Sequence, residues 1–225
     1  MPERSERERL ASARPFAGLD EVAVDDAAGA GHRRHLSPGD TVFRQGEPAE
    51  ELFVLLEGRV KVTQVTSDGQ QVVVRLLGPG EMMGCVAAWG GGNYPGTATA
   101  QEETSVIGWS GAALGRLVER HPAIARNLLG TVGHSLQETQ TRLRELATER
   151  VERRLAHALL RLVDKEGRSL RLTRQELAEL AGTTLFTASR TLSAWEAQGL
   201  VEAGRGRVTV RRPDGLAALA EDASP

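Results

Sequence analysis

Thr173-Arg174-Gln175-Glu176-Leu177-Ala178, then Ala181-Gly182-Thr183-Thr184, then the run from Leu185 to Ala197 decide how this chain is read. A threonine at a helix start accepts a bond from the amide three residues on, and a glutamate at that third position reaches back to the threonine amide. The spacing predicts a capping box on Thr173 and Glu176, followed by a helix of about two turns. Gly182 breaks the period, and Leu185–Ala197 reads as a second helix ending at Gln198-Gly199. Two short helices on a tight turn make a helix-turn-helix. Beyond it, Leu200-Val201-Glu202-Ala203 and Arg207-Val208-Thr209-Val210-Arg211 flank Gly204-Arg205-Gly206, which reads as a β-hairpin wing with a basic tip.

Helix geometry sorts the second helix before any comparison is made. At about 100° per residue, Ala188, Leu192 and Trp195 fall in one arc that must face a core, with Leu185 at its edge. Phe186 and Arg190 point the opposite way, flanked by Ser189. Phe186 is either a bare surface aromatic or a contact to a thymine methyl. Arg174, Arg205 and Arg207 are expected at phosphates. Thr173 and Thr184 complete the candidate DNA-binding set.

Upstream, Pro122 is placed as a first helical residue. Ala125, Leu129, Val132, Leu136, Thr139, Leu143 and Leu146 then alternate spacings of four and three, a heptad seam that calls for a partner helix. Ile124 and Leu128 remain to pack on the helix's own domain. Leu129, Val132, Leu136, Thr139, Leu143 and Leu146 are therefore the candidate dimer interface. A second helix with apolar positions Val151, Leu155, Ala158, Leu159 and Leu162 ends near Glu166-Gly167.

From about Arg33 to Ser110 the period is that of strands. Leu52–Leu56, Arg59–Val65 and Gln71–Leu77 are the clearest, and turns stand at Glu57-Gly58, Ser67–Gln70, Pro38-Gly39-Asp40 and Gly78-Pro79-Gly80. Regular spacing of this kind suggests a small β-roll. The chain has 225 residues, and a hydrophobic content of 40% with 26% charged residues suits a globular fold. No apolar run approaches a membrane span, and the opening Met1–Arg9 lacks a leader's apolar core, so the cytoplasm is the expected compartment. The net charge is −2, yet from Thr148 onward 13 Lys and Arg face 11 Asp and Glu, so the basic part is the helix-turn-helix end. A single cysteine, Cys85, excludes an internal disulfide and a four-thiolate metal site.

Pro38-Gly39-Asp40-Thr41-Val42-Phe43-Arg44-Gln45-Gly46-Glu47, Glu51–Val60 and Leu172–Ala178, in that order, resemble the cyclic-AMP receptor protein and fumarate–nitrate regulator superfamily from about Phe16 to Val210. The resemblance implies a bacterial transcription regulator with an effector pocket between Gly84 and Ala98, made by Gly84, Cys85, Tyr94, Pro95, Gly96 and Thr97. Cyclic-nucleotide members carry a glutamate for the ribose and an arginine–serine pair for the phosphate. Cys85, Tyr94 and Pro95 fill those places here, so a buried phosphate would lack its charge-assisted donor at a cost on the order of a few kcal/mol. An effector other than cyclic AMP is implied. Iron–sulfur members use four cysteines, which excludes their cluster. Tyr94–Ala98 is similar to the branch that responds to nitric oxide or nitrogen oxides, and Pro2 with Cys85 invites comparison with haem-binding carbon-monoxide sensors, although Cys85 lies one place beyond the family's ligand. Haem is thus a candidate cofactor. In the family's recognition helix, glutamate precedes serine and arginine by three and four places; Ser189 and Arg190 match and Phe186 departs, so the resemblance implies that Arg190 binds guanine as a bidentate fork.

The expected fold class is α+β: an N-terminal cyclic-nucleotide-binding-like β-roll over 1–120, a dimerisation helix over 121–147, and a C-terminal winged helix-turn-helix over 148–225. The expected function is a homodimeric, sequence-specific DNA-binding regulator controlled by a small effector and acting on RNA polymerase, with no membrane partner and no catalytic or metal site. Two alternatives stay open: a constitutive DNA binder whose roll serves only dimerisation, and a cupin-like enzyme, for which the strands offer almost no histidines or carboxylates.

Overall fold

The computed structural model describes residues 4–69, 71–84, 91–166 and 168–221. They divide into two compact units, Met1–Leu136 and Gln137–Pro225. The first holds α1 (Arg4–Ser12), a single 3₁₀ turn (Arg14–Phe16), α2 (Glu21–Ala30), β1 (His32–Leu36), β2 (Thr41–Phe43), β3 (Glu51–Glu57), β4 (Val60–Val65), β5 (Gln71–Leu77), β6 (Met82–Met83), β7 (Thr97–Ala100), β8 (Thr104–Ser110) and α3 (Gly111–Arg120). The long helix α4 (Ala123–Thr148) starts in it.

Its strands form two four-stranded antiparallel sheets, ordered β1-β8-β3-β6 and β2-β7-β4-β5. The unbroken apolar run in β3 follows from burial on both faces. Phe53 and Leu55 join Phe43, Val60, Ala98 and Val106 in the interior of the roll. Leu52, Val54 and Leu56 alternate to the other face, where Phe16, Val24, Leu114, Ile124 and Leu128 cover them. Trp109 of β8 lies in this second cluster and donates from Nε1 to the carbonyl of Ala27 at 2.8 Å, tying α2 to the sheet. Ile124 and Leu128 thus bind α4 to its own domain, as their phase requires. The helix begins at Ala123, one residue after Pro122. The three helices α1, α2 and α3 lie outside the sequence expectations.

The second unit contains the rest of α4, α5 (Val151–Glu166), β9 (Ser169–Leu170), α6 (Arg174–Leu180), α7 (Leu185–Ala197), β10 (Val201–Gly204), β11 (Arg207–Val210) and α8 (Pro213–Glu221). The strands make one antiparallel sheet in the order β10-β11-β9. Leu155, Leu159, Leu170, Leu177, Leu192, Trp195, Val208 and Leu216 are buried in it. The turn of the hairpin is one residue shorter than its sequence suggests, because Gly204 pairs with Arg207 inside the ladder and leaves only Arg205 and Gly206 between the strands. α8 is an addition to the expected wing; it packs on α5, and Arg153 Nε donates to the Ala220 carbonyl at 2.8 Å.

Candidate nucleic-acid interface and effector pocket

Both helices of the helix-turn-helix start on threonine caps. Thr173 Oγ1 accepts from the Glu176 amide at 3.1 Å while Glu176 Oε2 accepts from the Thr173 amide at 2.9 Å, completing the capping box. Thr184 Oγ1 accepts from the Thr187 amide at 3.2 Å and so fixes the first turn of α7. These two threonines, candidates for DNA contact, hold the frame of the site with their side chains.

The phase of α7 is as its sequence requires. Ala188, Leu192 and Trp195 are fully buried, and Trp195 Nε1 donates to Glu152 Oε1 at 3.1 Å. Leu185 is half exposed at the edge. On the opposite side Phe186 and Arg190 are exposed and Ser189 is partly so. Arg205 is exposed at the wing tip; Arg207 is exposed beside it, its guanidinium 3.4 Å from Ser169 Oγ. Arg174 departs from a free phosphate contact: its guanidinium lies 3.6 Å from Glu196 Oε2, whose partner oxygen accepts from the Ala203 amide at 2.8 Å. A phosphate must therefore compete with that carboxylate for Arg174.

The turn between α6 and α7 is held by side chains that no local pattern assigns to it. Arg154 donates to the carbonyls of Ala181 and Gly182 at 2.9 and 3.1 Å, and to that of Glu149 at 2.8 Å. Arg142 donates to the Leu180 carbonyl at 3.3 Å. These guanidinia satisfy carbonyls at the C-terminal end of α6 that no helical amide reaches. Gly182 is required twice over: its φ is +62°, and an added Cβ would stand 2.5 Å from Leu146 Cδ2. Beneath them, the carboxylate of the buried Glu145 accepts from Arg161 Nη1 at 2.6 and 2.9 Å.

In the roll, the effector-pocket candidates separate. Tyr94 is buried, its ring stacked on Phe43 at 4.0 Å between centroids. Its hydroxyl donates to the Glu51 carbonyl at 2.9 Å and lies 3.2 Å from the Glu51 amide. Burial, countered in part by the bonds to the Glu51 backbone, raises its pKa above the ordinary 10.0. Tyr94 is thus a packing residue of the roll, and its hydroxyl is already spent. Gly84 has a φ of +80°, and an added Cβ would meet the Glu51 carbonyl oxygen at 2.7 Å. Pro95 is exposed, Gly96 lies tight against the Thr63 carbonyl, and Thr97 Oγ1 accepts from the Gln45 amide at 3.0 Å. Cys85 lies outside the described residues, as does Pro2, so neither candidate iron ligand enters the site described here. Among the described residues no group of His, Cys, Asp and Glu is arranged to hold a metal ion.

Sequence reasoning missed one link in this unit: Arg75 of β5 donates to Ser135 Oγ of α4 at 3.0 Å and pairs with Glu81 at 3.3 Å. The seam positions stand exposed along α4, with Leu129 at 69%, Leu136 at 57%, Leu143 at 67% and Leu146 at 49%. Val132 and Thr139 are exposed with them. Among the described residues no helix is long and apolar enough to cross a membrane.

Comparison with known proteins supplies the frame for this geometry. Residues 33–121 match the cyclic nucleotide-binding domain family, and residues 153–219 match the Crp-like helix-turn-helix domain family. The chain is 34% identical over 208 residues to the cyclic AMP receptor protein of Thermus thermophilus, covering 92% of this chain and 94% of that one. It is 29% identical to the CRP-like cAMP-activated global transcriptional regulator of Mycobacterium tuberculosis, over 86% and 90% of the two chains. The solved structure of FixK2 from Bradyrhizobium japonicum shares the fold, with a TM-score of 0.76 at 23% identity over 86% of this chain and 99% of that one. The second of these is named as a transcriptional regulator. Two domain matches in series, with a capped recognition helix bearing Ser189 and Arg190 on its free face, make the chain a member of the CRP/FNR family of DNA-binding transcription regulators.

Proposed function

We propose that the chain acts as a homodimer whose two winged heads read two half-sites about one helical turn apart, under control of an effector bound by the roll. The division of labour is sensor over 1–120, dimer helix over 121–147 and DNA-binding head over 148–225, in the cytoplasm, with RNA polymerase recruited or blocked. The observation that carries this reading is the bare face of α7, where Arg190 is exposed and has no partner among the described residues. A guanidinium left in water at the free face of a buried helix is available for a bidentate bond to guanine. Phe186 and Ser189 share that face; Arg205 and Arg207 on the wing, and Arg174 when it leaves Glu196, supply phosphate contacts, with the Thr173 and Thr184 caps behind them.

Selection from random DNA with wild type and Arg190→Ala tests this. Wild type is expected to select a two-fold symmetric site. The variant is expected to lose about 1–3 kcal/mol and its preference at one position per half-site. An unchanged preferred sequence removes Arg190 as a base reader.

The effector is proposed to be other than cyclic AMP, because residues 84–98 contain no arginine and the Tyr94 hydroxyl is engaged with Glu51. Two relatives named for cyclic AMP make that nucleotide the first ligand to titrate. Calorimetry is expected to give no one-to-one saturation at micromolar nucleotide, and such saturation overturns the reading. Haem remains a candidate only through Pro2 and Cys85, and no step is assigned to it.

A further inference from the structure

The free face of α7 carries one large side chain that can neither donate nor accept a hydrogen bond. Phe186 lies in the first turn and is 75% exposed, more than any other large apolar side chain described. No ring or cation packs on it: the aromatic pairs and the cation–π contact of the described residues all lie in the roll. It adds nothing to the core of its domain, whose contact arc on α7 is filled by Ala188, Leu192 and Trp195. Its backbone is nevertheless fixed, because the Thr184 cap bonds the very next amide after it. An apolar ring held in water on a rigid turn gains free energy only when a partner covers it.

We propose that Phe186 is a base-reading residue that selects thymine by packing its ring on the C5-methyl group in the major groove. The inference rests on α7 entering that groove, as argued above. Of the base edges displayed there, thymine alone offers a methyl; cytosine offers an amino donor, and the purines offer N7 with O6 or an amino group. Those polar groups would be stripped of water against a ring that cannot replace the lost bond, so the ring rejects them while it gains on the methyl. Arg190 stands four residues further on, about 6 Å along the helix axis. Base pairs follow one another at about 3.4 Å, which places the selected thymine within about two base pairs of the guanine.

The test replaces each thymine of the selected site by deoxyuridine, which removes the methyl and keeps every hydrogen bond. Equilibrium titration of the full chain is expected to show one sensitive position per half-site, with a loss of about fourfold, the burial of one methyl. In Phe186→Ala the uridine and thymine sites are expected to bind alike, while the guanine preference set by Arg190 persists. Phe186→Glu is expected to move preference at that pair to cytosine, whose amino group the carboxylate accepts from. Insensitivity of wild type to uridine at every position overturns the inference, and so does an equal loss in Phe186→Ala. Absence of any sequence preference in wild type is a different failure, since it overturns the groove docking itself.

Discussion

Tyr94 is the only tyrosine of the chain, so its ionisation can be followed directly. Burial raises its pKa above 10.0, which means that the folded state favours the neutral phenol. The stability this supplies is complete below pH 10 and is lost as pH rises through the unfolded value toward the folded one. Phenolate absorbance should therefore appear later in the native protein than in the denatured chain. Tyr94→Phe should cost about 1 kcal/mol at neutral pH by deleting the bonds to Glu51. Its denaturant midpoint should then fall less steeply than that of wild type above pH 10; an identical slope would mean that this phenol is not what titrates. Its partners Phe43 and Glu51 are 51 and 43 residues away, so no local pattern announces them. Ala188, Leu192 and Trp195, by contrast, were legible because one helical period fixes all three.

At the scale of elements, α4 exposes Leu129, Leu136, Leu143 and Leu146 in one stripe while Ile124 and Leu128 bury the other side of its first turns. In the proposed homodimer this heptad stripe forms the seam of a two-helix contact, and each leucine it buries contributes about 1.5–3 kcal/mol. The double variant Leu136→Glu and Leu143→Glu should leave the roll folded, since both side chains lie outside its core. Dimerisation should weaken by more than about a hundredfold in sedimentation. A double variant that remains dimeric assigns the contact elsewhere. The capping box and the wing could be read in advance because each is a local pattern. The N-terminal helices and α8 could not, although signals were there: Asp20 caps α2 by accepting from the Ala23 amide, and Pro213 opens α8. Short helices owe their stability to packing, and packing partners are invisible along the chain. The Arg154 bonds to the turn are unreadable for the same reason.

For the whole molecule, the order of parts follows from sequence because the period of hydrophobicity is that of strands between Arg33 and Ser110 and that of helices from Pro122 to the helix-turn-helix, with strands returning only in the wing. The two sheets and their register do not, since pairs such as Val54 with Ile107 join distant residues. α4 runs unbroken for 26 residues, yet the division into compact units falls within it, between Leu136 and Gln137. Its first turns are buried by the roll through Ile124 and Leu128, and its last are fastened to the head through Arg142, Glu145 and Leu146. Two cooperative blocks therefore share one helical rod, and each protects only its own end from opening. In the single chain, loss of the roll would fray the rod from its start, loss of the head from its finish, and the middle turn around Leu136 would open whenever either block does, so that only a partner helix on the seam could protect the centre.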